Sequence, residues 1–173
     1  YSNPVDQMYR NAGFEWGTPR DASLADICDI LAGLPLMFQP GTEWAYSMSI
    51  DVLGRVVEIL SGMTLGEFMK KRIFDPLGMT DTAFHCSADK ADRLAALYVP
   101  NPADKKILRN DAGAAGALNE PKAHMGGGGL VSTTSDYLKF AEMLRGGGEY
   151  NGTRILSNRT VAFMASNHLP NNA

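Results

Sequence analysis

The chain has 173 residues, 45% of them apolar and 20% charged, with a formal net charge of −3. On size alone it can fold, since a chain this long buries roughly 70% of its unfolded surface. Mild acidity without a Lys/Arg cluster argues against nucleic acid as a partner, because phosphate binding needs several positive charges on one face. The densest basic run, Lys70-Lys71-Arg72, falls at the end of a predicted helix, where it suits the helix dipole. Two cysteines, Cys28 and Cys86, are too few for a disulfide framework and read as free thiols. No apolar run is long enough to cross a bilayer, and no membrane association is expected. No signal-peptide pattern opens the chain, and residue 1 is Tyr, so the sequence reads as cut, processed or excerpted. The compartment, cytoplasmic or periplasmic, is left open.

In chain order, residues 1–20 read as loop with one short helix around Pro4 to Asn11. From Ser23, an N-cap, Leu24, Ile27, Cys28, Leu31 and Leu34 fall on one helical face, and Pro35 closes the helix. After a Pro40-Gly41 turn, Ile50, Leu53, Val56, Val57 and Leu60 form an apolar stripe on a second helix ended by Ser61-Gly62. Thr64-Leu65-Gly66-Glu67 is a capping box for a third helix through about Ile73, with Leu65, Phe68, Met69 and Ile73 as its core face. Between Asp81 and Glu120 the pattern predicts a long surface excursion, with a short strand near Leu97-Tyr98-Val99 and a small-residue loop from Asp111 to Ala117. Four glycines, Gly126 to Gly129, then precede a helix from about Asp136 to Arg145 that turns Tyr137, Leu138, Phe140, Ala141 and Leu144 inward. A strand at Thr153 to Leu156 and a last helix from Asn158 to Ser166 complete the list.

Three blocks, in order, carry a resemblance. They are Pro40 to Ser47, with Trp44 and Tyr46; Val52 to Met79, ending Ile73-Phe74-Asp75-Pro76-Leu77-Gly78-Met79; and Gly126 to Leu144, with Gly129-Leu130-Val131-Ser132-Thr133. They resemble consecutive segments of the β-lactamase-related serine hydrolases, which include class C β-lactamases, penicillin-binding proteins and family VIII carboxylesterases. The resemblance implies a mostly α chain with minor β, a helical domain plus part of the α/β domain of the β-lactamase/transpeptidase-like fold. It implies residues 1–120 as mainly helical subdomain with a long surface loop, and 121–173 as a Gly-rich segment and helices packing toward a sheet not contained in this chain. It also implies acyl transfer through a serine ester.

The chemistry explains why such a family needs its parts. A serine hydroxyl is a weak nucleophile and requires a base within hydrogen-bond reach. In the resembling family a Ser-x-x-Lys helix supplies nucleophile and lysine, and a tyrosine motif supplies the base. A phenol, with an ordinary pKa near ~10, serves as base at neutral pH only where cations favour its ionised form. Tyr46 matches the tyrosine motif and is the candidate catalytic residue, with Trp44, Ser47 and Met48 as candidate substrate-binding residues. A tyrosine at a helix entrance also fits a core residue whose hydroxyl bonds to backbone. Met48 stands where lactamases carry Asn, which favours esters over β-lactams.

Several literal matches read as coincidence. Ser87-Ala88-Asp89-Lys90 spells Ser-x-x-Lys but follows Tyr46 and sits among His85, Asp92 and Arg93, as on a solvated surface. Tyr1-Ser2-Asn3 has no helix behind it, and His124-Met125-Gly126 leads into the glycine run. That run lacks the Gly-Lys-Ser/Thr ending of a phosphate loop and reads as a close backbone approach before the Asp136 helix. His85, His124 and His168 are too scattered for a metal site, and no cofactor is expected. Asn151-Gly152-Thr153 and Asn158-Arg159-Thr160 are formal glycosylation sequons, but in a chain that looks bacterial they read as turn and N-cap residues.

The expected function is therefore part of a serine hydrolase, carboxylesterase-like, acting on a small-molecule ester or amide, with the nucleophile motif absent from this chain. A β-lactamase or D-alanyl peptidase is the alternative within the enzyme class, and a non-catalytic binding or scaffold fragment the alternative outside it. A half-domain should expose a broad apolar face for flanking N- and C-terminal segments or a second copy of the chain.

Overall fold

Caps and apolar periods set most of the helices in residues 4–14, 17–19 and 21–169, which a computed structural model describes. Tyr1-Ser2-Asn3 lies outside the described residues. Helix α1 spans Pro4–Asn11, and α2 spans Leu24–Ala32. Ser23 caps α2 in a reciprocal box, its Oγ accepting from the Asp26 N–H at 3.2 Å while the Asp26 carboxylate accepts the Ser23 N–H at 2.9 Å. Helix α3, Ser49–Ser61, ends at Gly62 in the left-handed conformation, φ +68. Helix α4, Leu65–Met69, opens with the expected Thr64/Glu67 box.

The third predicted helix does not stop at Ile73. It continues through a π-helical turn, Lys70–Phe74, into α5, Asp75–Leu77, and Gly78 closes it at φ +66. In that wider turn the Asp75 N–H reaches back to the Lys70 carbonyl, so the register is already shifted where Pro76, with no N–H to give, enters.

The 81–120 stretch is less of an excursion than its composition predicts, because Thr82 and Phe84 are buried. A 3₁₀ turn at Ala88–Arg93 follows, then an antiparallel hairpin of β1, Tyr98–Pro100, and β2, Ile107–Arg109, with Tyr98 opposite Arg109. The predicted small-residue loop is instead helix α6, Asp111–Gly116. Its alanines are the strongest helix formers, and the Asn110 side chain caps it by accepting the Gly113 N–H at 2.9 Å.

Helix α7, Thr134–Arg145, leads into a second hairpin of β3, Glu149–Tyr150, and β4, Thr153–Arg154. Asn151 and Gly152, at φ +47 and +78, make the tight turn. Helix α8, Asn158–Met164, takes Ser157 as its cap, so the expected cap at Asn158 falls one residue earlier. Cys28 and Cys86 are both free, and burial pushes the Cys28 thiol upward. Among the described residues no helix is long and apolar enough to cross a membrane.

The core lies where α4, the π turn and α5 meet α7 and the second hairpin. Phe74, Leu77, Met79 and Met143 are buried there, flanked by Ile73, Phe140, Leu144, Tyr150 and Ile155. A smaller contact joins α2, α3 and α4 through Gly54. A β-carbon at that position would sit 2.9 Å from Leu65 and 3.5 Å from Leu24, so only glycine lets those leucines nest so closely on α3.

This contact turns the polar side of α3 toward the rest of the chain. Its apolar stripe, Ile50, Leu53, Val56 and Leu60, is exposed, with Leu60 at 82% and only Val57 half-buried. The face turned into the chain carries Asp51, Gly54, Arg55 and Glu58. Its polar groups are satisfied there: Glu58 accepts the Leu65 N–H at 3.1 Å and pairs with Arg55 at 3.1 Å. Helix α7 behaves similarly, burying Asp136 and Met143 while Tyr137, Leu138 and Ala141 face outward.

Residues 126–133 form a strap that joins these parts. Gly127 meets Asp51, Val131 and Ala83 exchange backbone hydrogen bonds of 2.8 and 3.1 Å, and Ser132 meets Thr82 at 2.8 Å. Thr133 ends the strap as the cap of α7, accepting the Asp136 N–H at 3.2 Å. Substituting Thr133→Ala should lower the unfolding free energy by about 1 kcal/mol. Urea unfolding should register it as a lower midpoint at unchanged slope.

Candidate active site

The candidate residues Trp44, Tyr46, Ser47 and Met48 sit together on one connection. Pro40 and Gly41 occupy the corners of a turn closed by the Thr42 N–H to the Gln39 carbonyl at 3.2 Å, with Gly41 at φ +85. The chain then runs without regular structure to α3. Ser47 Oγ accepts the Ser49 N–H at 3.2 Å and lies 2.6 Å from Ser49 Oγ. The Met48 carbonyl accepts from both Asp51 and Val52 at 3.1 Å, which starts the helix.

This connection presents its aromatics outward. Tyr46 is 88% exposed and Trp44 70% exposed, Ser47 is exposed, and Met48 is half-buried. No hydrogen bond reaches the Tyr46 hydroxyl among the described residues, so the core arrangement with a backbone-bonded hydroxyl is not adopted in this chain. The exposed stripe of α3 begins directly beside the turn, at Ile50 and Leu53.

The glycine run does make a close backbone approach, and the element it meets is α3. A β-carbon on Gly126 would collide with the Ile50 carbonyl oxygen, and one on Gly127 would lie 3.2 Å from both Asp51 carboxylate oxygens. Asp51 itself is 5% exposed and accepts the Gly127 N–H at 2.8 Å. Sequence reasoning passed over it. Its position three residues after the helix cap, where acidic residues commonly serve local capping, was the available signal.

The literal Ser-x-x-Lys is not arranged for proton transfer. Lys90 Nζ donates to the Thr80 carbonyl at 2.6 Å and pairs with Asp81 at 3.0 Å, while the Ser87 hydroxyl bonds to Asp89 and helps hold that carboxyl below its usual range. His124 stacks on Phe84 with ring centroids 4.5 Å apart, and its Nδ1 accepts the Gly66 N–H at 3.1 Å, which is a packing role. Ser87, Lys90 and His124 all border an open cavity of about 750 Å³ that does not include Tyr46. Among the described residues no three His, Cys, Asp or Glu side chains gather as metal ligands would.

Comparison with solved structures places the chain in the β-lactamase/transpeptidase-like fold. EstCE1, a hydrolase with promiscuous acyltransferase activity, superposes with a TM-score of 0.74 at 28% identity, covering 94% of this chain and 45% of that one. Residues 4–172 match the Beta-lactamase family, and the chain belongs to it. Protein Rv1367c of Mycobacterium tuberculosis is 39% identical over 168 residues, 97% of this chain and 40% of that protein. Lovastatin esterase of Penicillium rubens is 41% identical over 137 residues, 78% of this chain and 33% of that protein. The chain thus spans two fifths or less of these curated relatives.

Proposed function

We propose that the chain is the central portion of a serine hydrolase that cleaves carboxylic esters, with Tyr46 as general base and Trp44, Ser47 and Met48 along the substrate groove. The observation that carries this reading is the 88% exposed Tyr46, held at the entrance of α3 beside an apolar stripe that the chain leaves open. A phenol displayed in this way serves no packing purpose within the chain. It is available to a nucleophile and substrate brought by a flanking segment.

In this reading a serine outside these 173 residues attacks the ester carbonyl while its proton passes to Tyr46 Oη, with a neighbouring lysine supplying the electrostatics. The alkoxide leaves with that proton, and water then hydrolyses the acyl-serine by the reverse relay. Residues 1–120 supply the helical wall of the groove, and residues 121–173 pack toward the sheet of the α/β domain. The esterase among the curated relatives and the acyltransferase activity of EstCE1 support acyl chemistry. Met48, with no amide to hold a lactam's side-chain carbonyl, supports esters over β-lactams.

The test uses full-length protein, a fluorophosphonate probe, a short-chain aryl ester and a chromogenic cephalosporin. The expected result is one labelled serine outside this segment and turnover of the ester alone. Turnover of the cephalosporin at a comparable rate would favour the lactamase alternative, and neither label nor turnover would leave a binding or scaffold role.

A further inference from the structure

Asp51 occupies the third position of α3, counting from its cap residue Met48. At that position in α2 and α4 the acidic residues Asp26 and Glu67 fold back and accept the backbone N–H of their own caps, Ser23 at 2.9 Å and Thr64 at 2.8 Å, and both are exposed. Asp51 does otherwise. Its carboxylate is buried and accepts a hydrogen bond from Gly127, 76 residues away. Burying a carboxylate is costly unless its lone pairs are met, so a group with an exposed local alternative has been committed to a tertiary tie.

The tie acts at one place. Gly126 lies against the Ile50 carbonyl and Gly127 against the Asp51 carboxylate, an approach that a side chain on Gly126 would forbid. Both contacts fall on the first turn of α3, the turn whose backbone hydrogen bonds close on Met48. From Met48 the chain leads back two residues to Tyr46. Whatever fixes that first turn fixes the direction from which the phenol is presented.

We propose that Asp51 is a positioning residue for Tyr46, holding the glycine strap against the start of α3 so that the connection from Trp44 to Met48 leaves the helix at one angle. This rests on the reading of Tyr46 as general base. Proton transfer requires heavy atoms within hydrogen-bond reach, and small displacements of a catalytic group are costly to rate.

The experiment is a double-mutant cycle in the full-length protein, reading aryl-ester kinetics and melting temperature for Asp51→Ala, Asp51→Asn, Gly127→Ala, Tyr46→Phe and the combinations with Tyr46→Phe. Asp51→Ala is expected to lower kcat about 10-fold or more with KM within about 2-fold. Asp51→Asn, which keeps an oxygen for the Gly127 N–H, should restore most of that activity. In the Tyr46→Phe background the Asp51→Ala loss should largely vanish, because a residue acting through Tyr46 has nothing left to position. Gly127→Ala presses a methyl onto the same carboxylate and supplies the cycle if Asp51→Ala does not fold. Normal kcat in Asp51→Ala, or losses that multiply fully with Tyr46→Phe, would overturn the positioning role while leaving Tyr46 as base. Normal turnover in Tyr46→Phe alone would remove both readings.

Discussion

Full-length protein carrying Tyr46→Phe is expected to hydrolyse a short-chain aryl ester at least ~100-fold more slowly than the parent. The substitution removes one oxygen and keeps the ring. In this chain that oxygen has no hydrogen-bond partner among the described residues, and the ring is 88% exposed. Folding of this segment therefore gains nothing from the hydroxyl, and the melting temperature should change little. KM should change little, since the apolar contacts proposed for Trp44 and Met48 would remain. A tyrosine with a packing role would show the opposite pattern, lowered melting with turnover intact. Wild-type turnover in the variant would sink the assignment of Tyr46.

The sequence made the helices legible because caps and periods are local. Ser23 with Asp26, Thr64 with Glu67, and Gly62 at positive φ each set a helix end within a few residues of chain, whereas the end at Gly78 was missed because the π turn carries the helix past Ile73. The sequence left the covered face of α3 unread and misdirected part of that of α7 for a physical reason. An apolar stripe states which side of a helix avoids water, not which partner covers it. In α3 the chain's own neighbours approach through Gly54, and the polar side is the one they bury. On α7 Phe140 and Leu144 do pack on the core as expected, but Tyr137 and Leu138 face outward and Met143 and Asp136 take the buried positions.

The candidate site was legible only in part. The turn with Trp44 and Tyr46 could be read because its Pro40-Gly41 corner, aromatic pair and following helix lie within a dozen residues. Asp51 and Asp136 were invisible as ties, because what they bind lies 76 and 55 residues away. Both stand three residues beyond a helix cap, a place where local capping is the ordinary expectation. The spelling Ser87-x-x-Lys90 illustrates the converse. Its spacing is local and correct, yet Asp81 and the Thr80 carbonyl have already taken the lysine.

Asp136→Ala is expected to be the most destabilising single change considered, costing about 3 kcal/mol. The Asp136 side chain is buried, 2% exposed as a residue, and accepts from the Asp81 N–H at 2.7 Å, the Thr82 hydroxyl at 3.1 Å and Lys139 Nζ at 2.8 Å. Lys139 also donates to the Gly78 carbonyl and can turn to water, and the Thr82 hydroxyl keeps Ser132 as a partner, so the larger share of the loss comes from the Asp81 N–H left without its acceptor. Burial alone would push the Asp136 carboxyl up. The hydrogen bonds from Lys139, Asp81 and Thr82 outweigh it and hold the group below the usual carboxylate value of 3.8. A depressed folded-state value means the unfolded chain binds the proton more readily. This contribution is therefore complete above the ordinary carboxylate range and is lost as pH falls through the folded value. Asp136→Asn should cost less than Asp136→Ala, because its carbonyl can still accept from Asp81 and Thr82, and it should flatten the acid limb of the stability curve. Urea titrations at several pH values check both outcomes, and an acid limb as steep in Asp136→Asn as in the parent would show that another carboxylate carries it.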